Sequence, residues 1–220
     1  MTRSHTARLF VAIDPPGDVC EQLVHWARSA VRGGSDHARG AMPLRVLDPE
    51  SLHVTLCFLG NRPVGELDSL GTQLAACGGP TGELSLGAPL WLPARHPRAL
   101  AVELHDDLGK LARLQAEVAS ALGEVSGWQP NGGVAGGEGA SRGRRRFHPH
   151  VTVARMRHGA TDRRSTPRSG HTAGSSIGQH ERVLPPTPSL AFVPRELVLY
   201  RSWLSPEGAS YEAIASHPIG

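Results

Sequence analysis

Cysteine pairs, long apolar runs and net charge are all scarce in this chain. The three cysteines, Cys20, Cys57 and Cys77, are odd in number and contain no Cys-x-x-Cys pair. Such a set does not build a disulfide framework, and it points to a reducing compartment. Near the N-terminus the apolar run Leu9–Ile13 is cut off by Asp14-Pro15-Pro16. It is too short for a signal-peptide core or a membrane span, so a soluble, cytoplasmic protein with no membrane partner is expected. The formal net charge is only +3, which accommodates an anionic ligand without selecting one. The hydrophobic fraction is 39%, low for 220 residues, while glycine and proline number 26 and 18. Two polar stretches account for this. Residues 129–146 are rich in Gly and end in the basic run Arg142–Arg146, and residues 158–188 have almost no large apolar side chain. Neither can bury enough surface to order itself, so both are expected to be flexible insertions in one domain spanning 1–220.

What remains alternates strands and helices. Strands are predicted at Arg8–Ile13, Leu44–Leu47, Ser51–Gly60, Glu83–Leu92, Ala99–Leu104, Phe147–Arg155, Leu190–Leu204 and Tyr211–Ala215. Apolar residues at three- and four-residue spacing predict helices at Asp18–Val31, Val64–Cys77 and Asp106–Leu122, the last with Gly123 as its stop. The order points to an α+β fold in two similar halves. Two antiparallel-type sheets would face a central groove, with the helices outside.

Each half carries the phrase His-Val-Thr followed by an aliphatic residue: His53-Val54-Thr55-Leu56 and His150-Val151-Thr152-Val153. A strand has a side-chain period of two, so His and Thr share one face while Val and the next aliphatic residue take the other. Two such strands would set two imidazoles and two hydroxyls around one hole. Histidine titrates near neutrality, so one can take a proton while the other gives one. The Thr hydroxyls can donate to phosphate oxygens. A cyclic 2′,3′-phosphodiester suits this pair, because its leaving group is a sugar oxygen that needs a proton. No cofactor is required. His148 shares a face with His150, but no Cys, Asp or Glu beside it in sequence completes a ligand set, so no metal is expected. Arg155 follows His150 at an odd offset. Strict alternation puts it on the opposite face, as an ion-pairing surface residue, and a twist at the strand end would return it to the groove. The run Arg142–Arg146 reads as a solvated charge run, with a basic arm for RNA phosphates as the alternative. Trp91, Trp128 and Trp203 read as core or edge residues.

The stretches RLFVAID, DPESLHVTLCFLG, FHPHVTVAR and LVLYRSWLSPEGASYEAI together resemble the two-histidine (2H) phosphoesterase superfamily. More closely, they resemble the bacterial RNA 2′,3′-cyclic phosphodiesterases, also called 2′-5′ RNA ligases. The resemblance implies a bilobal fold with each His-x-Thr-x motif on a central strand. It implies that His53 gives the proton to the leaving 3′ oxygen, that His150 activates water, and that Thr55 and Thr152 bind the phosphate; Arg155, returned to the groove by a strand-end twist, is the further substrate-binding candidate. The implied partner is an RNA or oligonucleotide with a 2′,3′-cyclic phosphate end, bound by a monomer. In the family an aromatic residue usually follows the arginine before the first motif; here Val46 follows Arg45. Two other activities fit the same residues: ligation by the reverse reaction, and non-catalytic binding of RNA ends.

Overall fold

The structure is a computed structural model that describes residues 5–33, 44–94, 97–126, 147–157, 184–205 and 208–219. The basic run Arg142–Arg146 and Trp128 lie outside the described residues. The elements follow in the expected order: β1 (Thr6–Ile13), α1 (Gly17–Gly33), β2 (Leu44–Val46), β3 (Val54–Pro63), α2 (Leu67–Ala75), β4 (Leu84–Leu92), β5 (Ala99–His105), α3 (Lys110–Ser126), β6 (His150–Met156), β7 (Ala191–Phe192), β8 (Glu196–Ser205) and β9 (Gly208–Pro218). Local chemistry explains where the boundaries differ from expectation. The helix expected from Val64 opens as a short 3-10 turn, Val64–Glu66, because Pro63 precedes it. The helix expected from Asp106 starts at Lys110. Asp106 instead caps it, its two carboxylate oxygens accepting from the Lys110 and Ala112 amides at 2.9 Å each. The run Leu190–Leu204 breaks into β7 and β8 around Pro194, which has no N–H for a ladder.

All described strand pairs are antiparallel. The order is β7-β4-β5-β6-β3-β1-β8-β9, with β2 pairing on β6. The two expected sheets are therefore two halves of one path. They are joined where β3 meets β6, through the pair Val54↔Val151. The helices cross between halves. α1 follows β1 but packs on β2 and β6, and α3 follows β5 but packs on β3 and α2. Leu9, Val11 and Ile13 of β1 join Leu23 of α1, Leu111 and Leu122 of α3, and Val54 and Val151 in one core cluster. That leaves the opposite face of the sheet for the groove.

Strand β3 pairs Val11↔Cys57 and then Ala12↔Thr55, so Leu56 is an extra residue. Strand β6 pairs Leu100↔Ala154 and then Ala101↔Thr152, so Val153 is extra. Each bulge falls immediately after the motif Thr. From Val54 and from Val151 the strands then show the same sequence of burial: buried, half-buried, buried, buried, exposed. Bulges of this kind re-aim side chains and gather next to functional sites.

The last five residues of the expected 158–188 insertion differ from that expectation, since they lie against the body. Trp26 of α1 donates its indole N–H to the Pro185 carbonyl at 3.3 Å, and Thr187 donates to the Gly87 carbonyl at 2.6 Å. Pro185, Pro186 and Pro188 have little backbone freedom to lose, so two hydrogen bonds suffice to hold them.

Because helices of one half brace strands of the other, the chain is expected to unfold as one unit. Leu111→Ala, at a fully buried position, should cost about 2–5 kcal/mol. Urea unfolding should give one transition, coincident by far-UV circular dichroism and tryptophan fluorescence. Two separated transitions would mean that the halves are independent.

Candidate active site

His53 sits just before β3, behind the 3-10 turn Pro49–Ser51, and His150 is the first residue of β6. Each is anchored in the same way. His53 Nδ1 donates to the Ser51 carbonyl at 3.0 Å, and His150 Nδ1 donates to the His148 carbonyl at 2.9 Å. A carbonyl oxygen can only accept, so Nδ1 carries hydrogen in both rings and Nε2 is left to exchange protons. The pair Val54↔Val151 sets their relation. Counting antiparallel from it, His53 falls opposite Thr152 and His150 opposite Thr55. The two phrases are thus related by a local two-fold through that pair, and each His neighbours the other's Thr.

Aromatic rings wall the His53 side. Phe10 lies 4.8 Å from the His53 ring at 34°, and Tyr211 meets it edge-on at 5.0 Å and 87°. Tyr200 stacks on Phe10 at 5.2 Å and is tied to Asp14 by a 2.6 Å hydrogen bond from its hydroxyl. Burial raises the Asp14 carboxyl, against the Tyr200 hydrogen bond; burial and then Asp14 raise the Tyr200 phenol. His53 moves the other way, to about 4. Burial among the rings is the main cause, and the nearby Arg155 and His150 add to it, outweighing the Ser51 hydrogen bond. Arg155 and His150 thus both lie within electrostatic reach of His53.

The bulge at Val153 resolves the position of Arg155. It resets the alternation, so Arg155, exposed, comes back to the face that carries His150 and Thr152. Neither HVTLCF nor HVTVAR contains a glycine or proline to signal a bulge, so the sequence left the side of Arg155 open between the groove and the opposite face. Phe58 is a residue that sequence reasoning missed. It holds in β3 the place that Arg155 holds in β6, five residues after the motif His, and it is 46% exposed. The Arg8 guanidinium lies 4.6 Å over its ring and also donates to Ser202 at 3.2 Å. Aligning HVTLCF on HVTVAR would have exposed the equivalence. Sequence proximity likewise missed Glu103, which pairs with His150 in the β5–β6 ladder and holds His148 at 3.3 Å. Among the described residues no three His, Cys, Asp or Glu side chains are grouped to hold a metal ion. Trp91 is half-buried and packs on the core, while Trp203 is exposed beneath the Arg201 guanidinium. All three thiols are buried and unpaired. No helix among the described residues is long and apolar enough to cross a membrane.

No family model matches the chain. A curated relative from Geobacillus stearothermophilus, named RNA 2′,3′-cyclic phosphodiesterase, is 28% identical over 227 residues. The match covers all of this chain, which spans 58% of that relative's length. Among solved structures, Escherichia coli LigT complexed with 3′-AMP superposes with a TM-score of 0.65 at 21% identity, over 98% of this chain and 99% of that one. The protein TT0787 of Thermus thermophilus superposes with a TM-score of 0.61 at 23% identity, over 96% and 97%. The architecture of antiparallel sheet and outer helices is the one these structures share, as the sequence resemblance implied.

The depressed His53 value gives a pH test. Its folded value lies below that of an unfolded histidine, so the unfolded chain binds the extra proton between about pH 4 and 6.5. Folding stability should therefore fall as pH drops through this window, and be unaffected by His53 above it. In an NMR titration the His53 ring should stay neutral down to about pH 4 in the free protein, and inorganic phosphate should raise its midpoint. A midpoint near 6.5 without phosphate would contradict the enclosure described.

Proposed function

We propose that this chain, with the two-histidine phosphoesterase fold, opens RNA 2′,3′-cyclic phosphate ends to 2′-phosphomonoesters without a metal. The observation that carries the reading is the Val54↔Val151 pair, about which two identically anchored imidazoles and two threonines are arranged. The relative named for this reaction supports it at the level of the whole chain.

In the proposed step, His150 Nε2 takes a proton from water as its oxygen attacks phosphorus. The bond from phosphorus to O3′ breaks, and His53 Nε2 delivers its proton to O3′. The products are a 2′-phosphate and a free 3′-hydroxyl, and proton exchange with solvent resets both rings. Thr55 and Thr152 donate to the non-bridging oxygens, and Arg155 offsets the charge that gathers on them. Phe58, with the Arg8 guanidinium over its ring, flanks the terminal base.

His53 must be protonated to act as the acid, yet its surroundings in the free protein hold it neutral at pH 7. Substrate supplies the missing influence. The phosphate's negative charge opposes that of Arg155, and so favours the imidazolium. His53 takes up its proton as the RNA end binds. The assignment of acid to His53 and base to His150 comes from the family resemblance, and proton uptake on binding is what makes it workable here. The same groups run backwards would join RNA ends through a 2′-5′ linkage, and product analysis with RNA half-molecules separates that activity from hydrolysis.

A 2′,3′-cyclic oligonucleotide should be hydrolysed in the presence of EDTA. His53→Ala and His150→Ala should each lower kcat by about 10²–10⁴, while Phe58→Ala should mainly raise KM. Near-parental turnover by both histidine variants would end the acid–base reading. No hydrolysis by the parent, with RNA-end binding that survives both changes, would leave a binding protein.

A further inference from the structure

Arg45 lies outside the acid–base apparatus, yet its position is closely defined. It stands on β2 as the Cα partner of Arg155 on β6, so the two arginines are direct neighbours on one face. Like charges directly opposite in a ladder repel. Among the described residues neither arginine has a carboxylate within ion-pairing distance. What locates the Arg45 head is packing. A β-carbon at position 208 would coincide with its guanidinium, which therefore rests on the bare backbone of Gly208. Gly208 begins β9, at a φ of 138° that glycine tolerates. The side chain thus reaches from one half of the sheet to the other. Tyr211, three residues further along β9, touches the His53 ring, so the strand on which Arg45 rests also walls His53.

We propose that Arg45, with Arg155 beside it, forms a second anion subsite that holds the phosphodiester one nucleotide upstream of the reacting end. This rests on the hydrolase reading above. Three observations carry it. The two arginines are adjacent and lack a carboxylate partner among the described residues, and an anion between them turns their repulsion into attraction. Arg155 emerges on the face of β6 that carries His150 and Thr152, and Arg45 is its partner across the ladder, so the pair opens onto the side of the reacting phosphate. Finally, β2 pairs β6 at residues 154–156, on the edge that β3 takes at Val151 and past the motif Thr152. That displaces Arg45 from the His and Thr side chains that already serve the reacting phosphate and sets it toward the next one. A guanidinium fork is suited to two non-bridging oxygens at once. The site then distinguishes the end of a chain from a free cyclic nucleotide.

The test compares two substrates: a 2′,3′-cyclic mononucleotide with a 5′-hydroxyl, and a dinucleotide with the same cyclic end. The parent, Arg45→Lys and Arg45→Ala are measured at several salt concentrations. The ratio of kcat/KM for dinucleotide over mononucleotide should fall about tenfold in Arg45→Ala and less in Arg45→Lys, as expected for a lost phosphate contact. The salt dependence on the dinucleotide should weaken by about one unit of log–log slope. Taking the ratio within each variant cancels any loss of folded protein. A parent active on both substrates, with a ratio that Arg45→Ala leaves unchanged, overturns the subsite alone. A parent that turns over neither overturns the hydrolase reading, and the subsite with it.

Discussion

One backbone pairing governs the arrangement: Val54 against Val151, where β3 and β6 meet. It joins the two halves of the sheet. It also makes the two motif phrases neighbours in opposite directions, so that His53 faces Thr152 and His150 faces Thr55. Both valines are completely buried, so the contact is held from the core side while its neighbours are presented on the groove side. The crossing of α1 and α3 to the opposite halves braces this seam. A slip of one residue there would turn each His and Thr into the core.

The second constraint is the paired bulge. A bulge directly after each Thr adds one residue, so two consecutive side chains point inward before the strand faces the groove again. The consequence differs between the halves only through the residue that emerges. In β3 it is Phe58, a ring covered by Arg8; in β6 it is Arg155, a charge that acts on His53. A symmetric backbone thus produces an asymmetric groove, aromatic on one side and cationic on the other. That asymmetry suits a nucleotide end, which presents a base and a phosphate. The two histidines also have unlike surroundings despite similar anchors, since among the described residues His53 alone is packed among Phe10, Tyr200 and Tyr211.

Much of this was legible in the sequence because it depends on local period and repetition. The element order, the two phrases and the shared face of His and Thr follow from a two-residue alternation and a repeated word. What escaped depends on register and on tertiary contact. The bulges leave no glycine or proline mark. Glu103 reaches His148 only through strand pairing, and Arg45 reaches Gly208 only because the fold brings β2 and the start of β9 together. Pro194 and Pro63 did carry local signals, and they account for the split of β8 from β7 and the late start of α2. The Pro185–Pro188 segment ordered against expectation because its anchor, Trp26, is 159 residues away in sequence.

The central claim is that both imidazoles act on one phosphate. A crystal structure with a 2′-phosphorylated nucleotide bound tests it most directly. The account predicts a single phosphate with oxygens within about 2.6–3.2 Å of both His53 Nε2 and His150 Nε2, and the Thr55 and Thr152 hydroxyls turned to the same group. A phosphate that touches only one histidine, or two side chains opening into separate cavities, would contradict it.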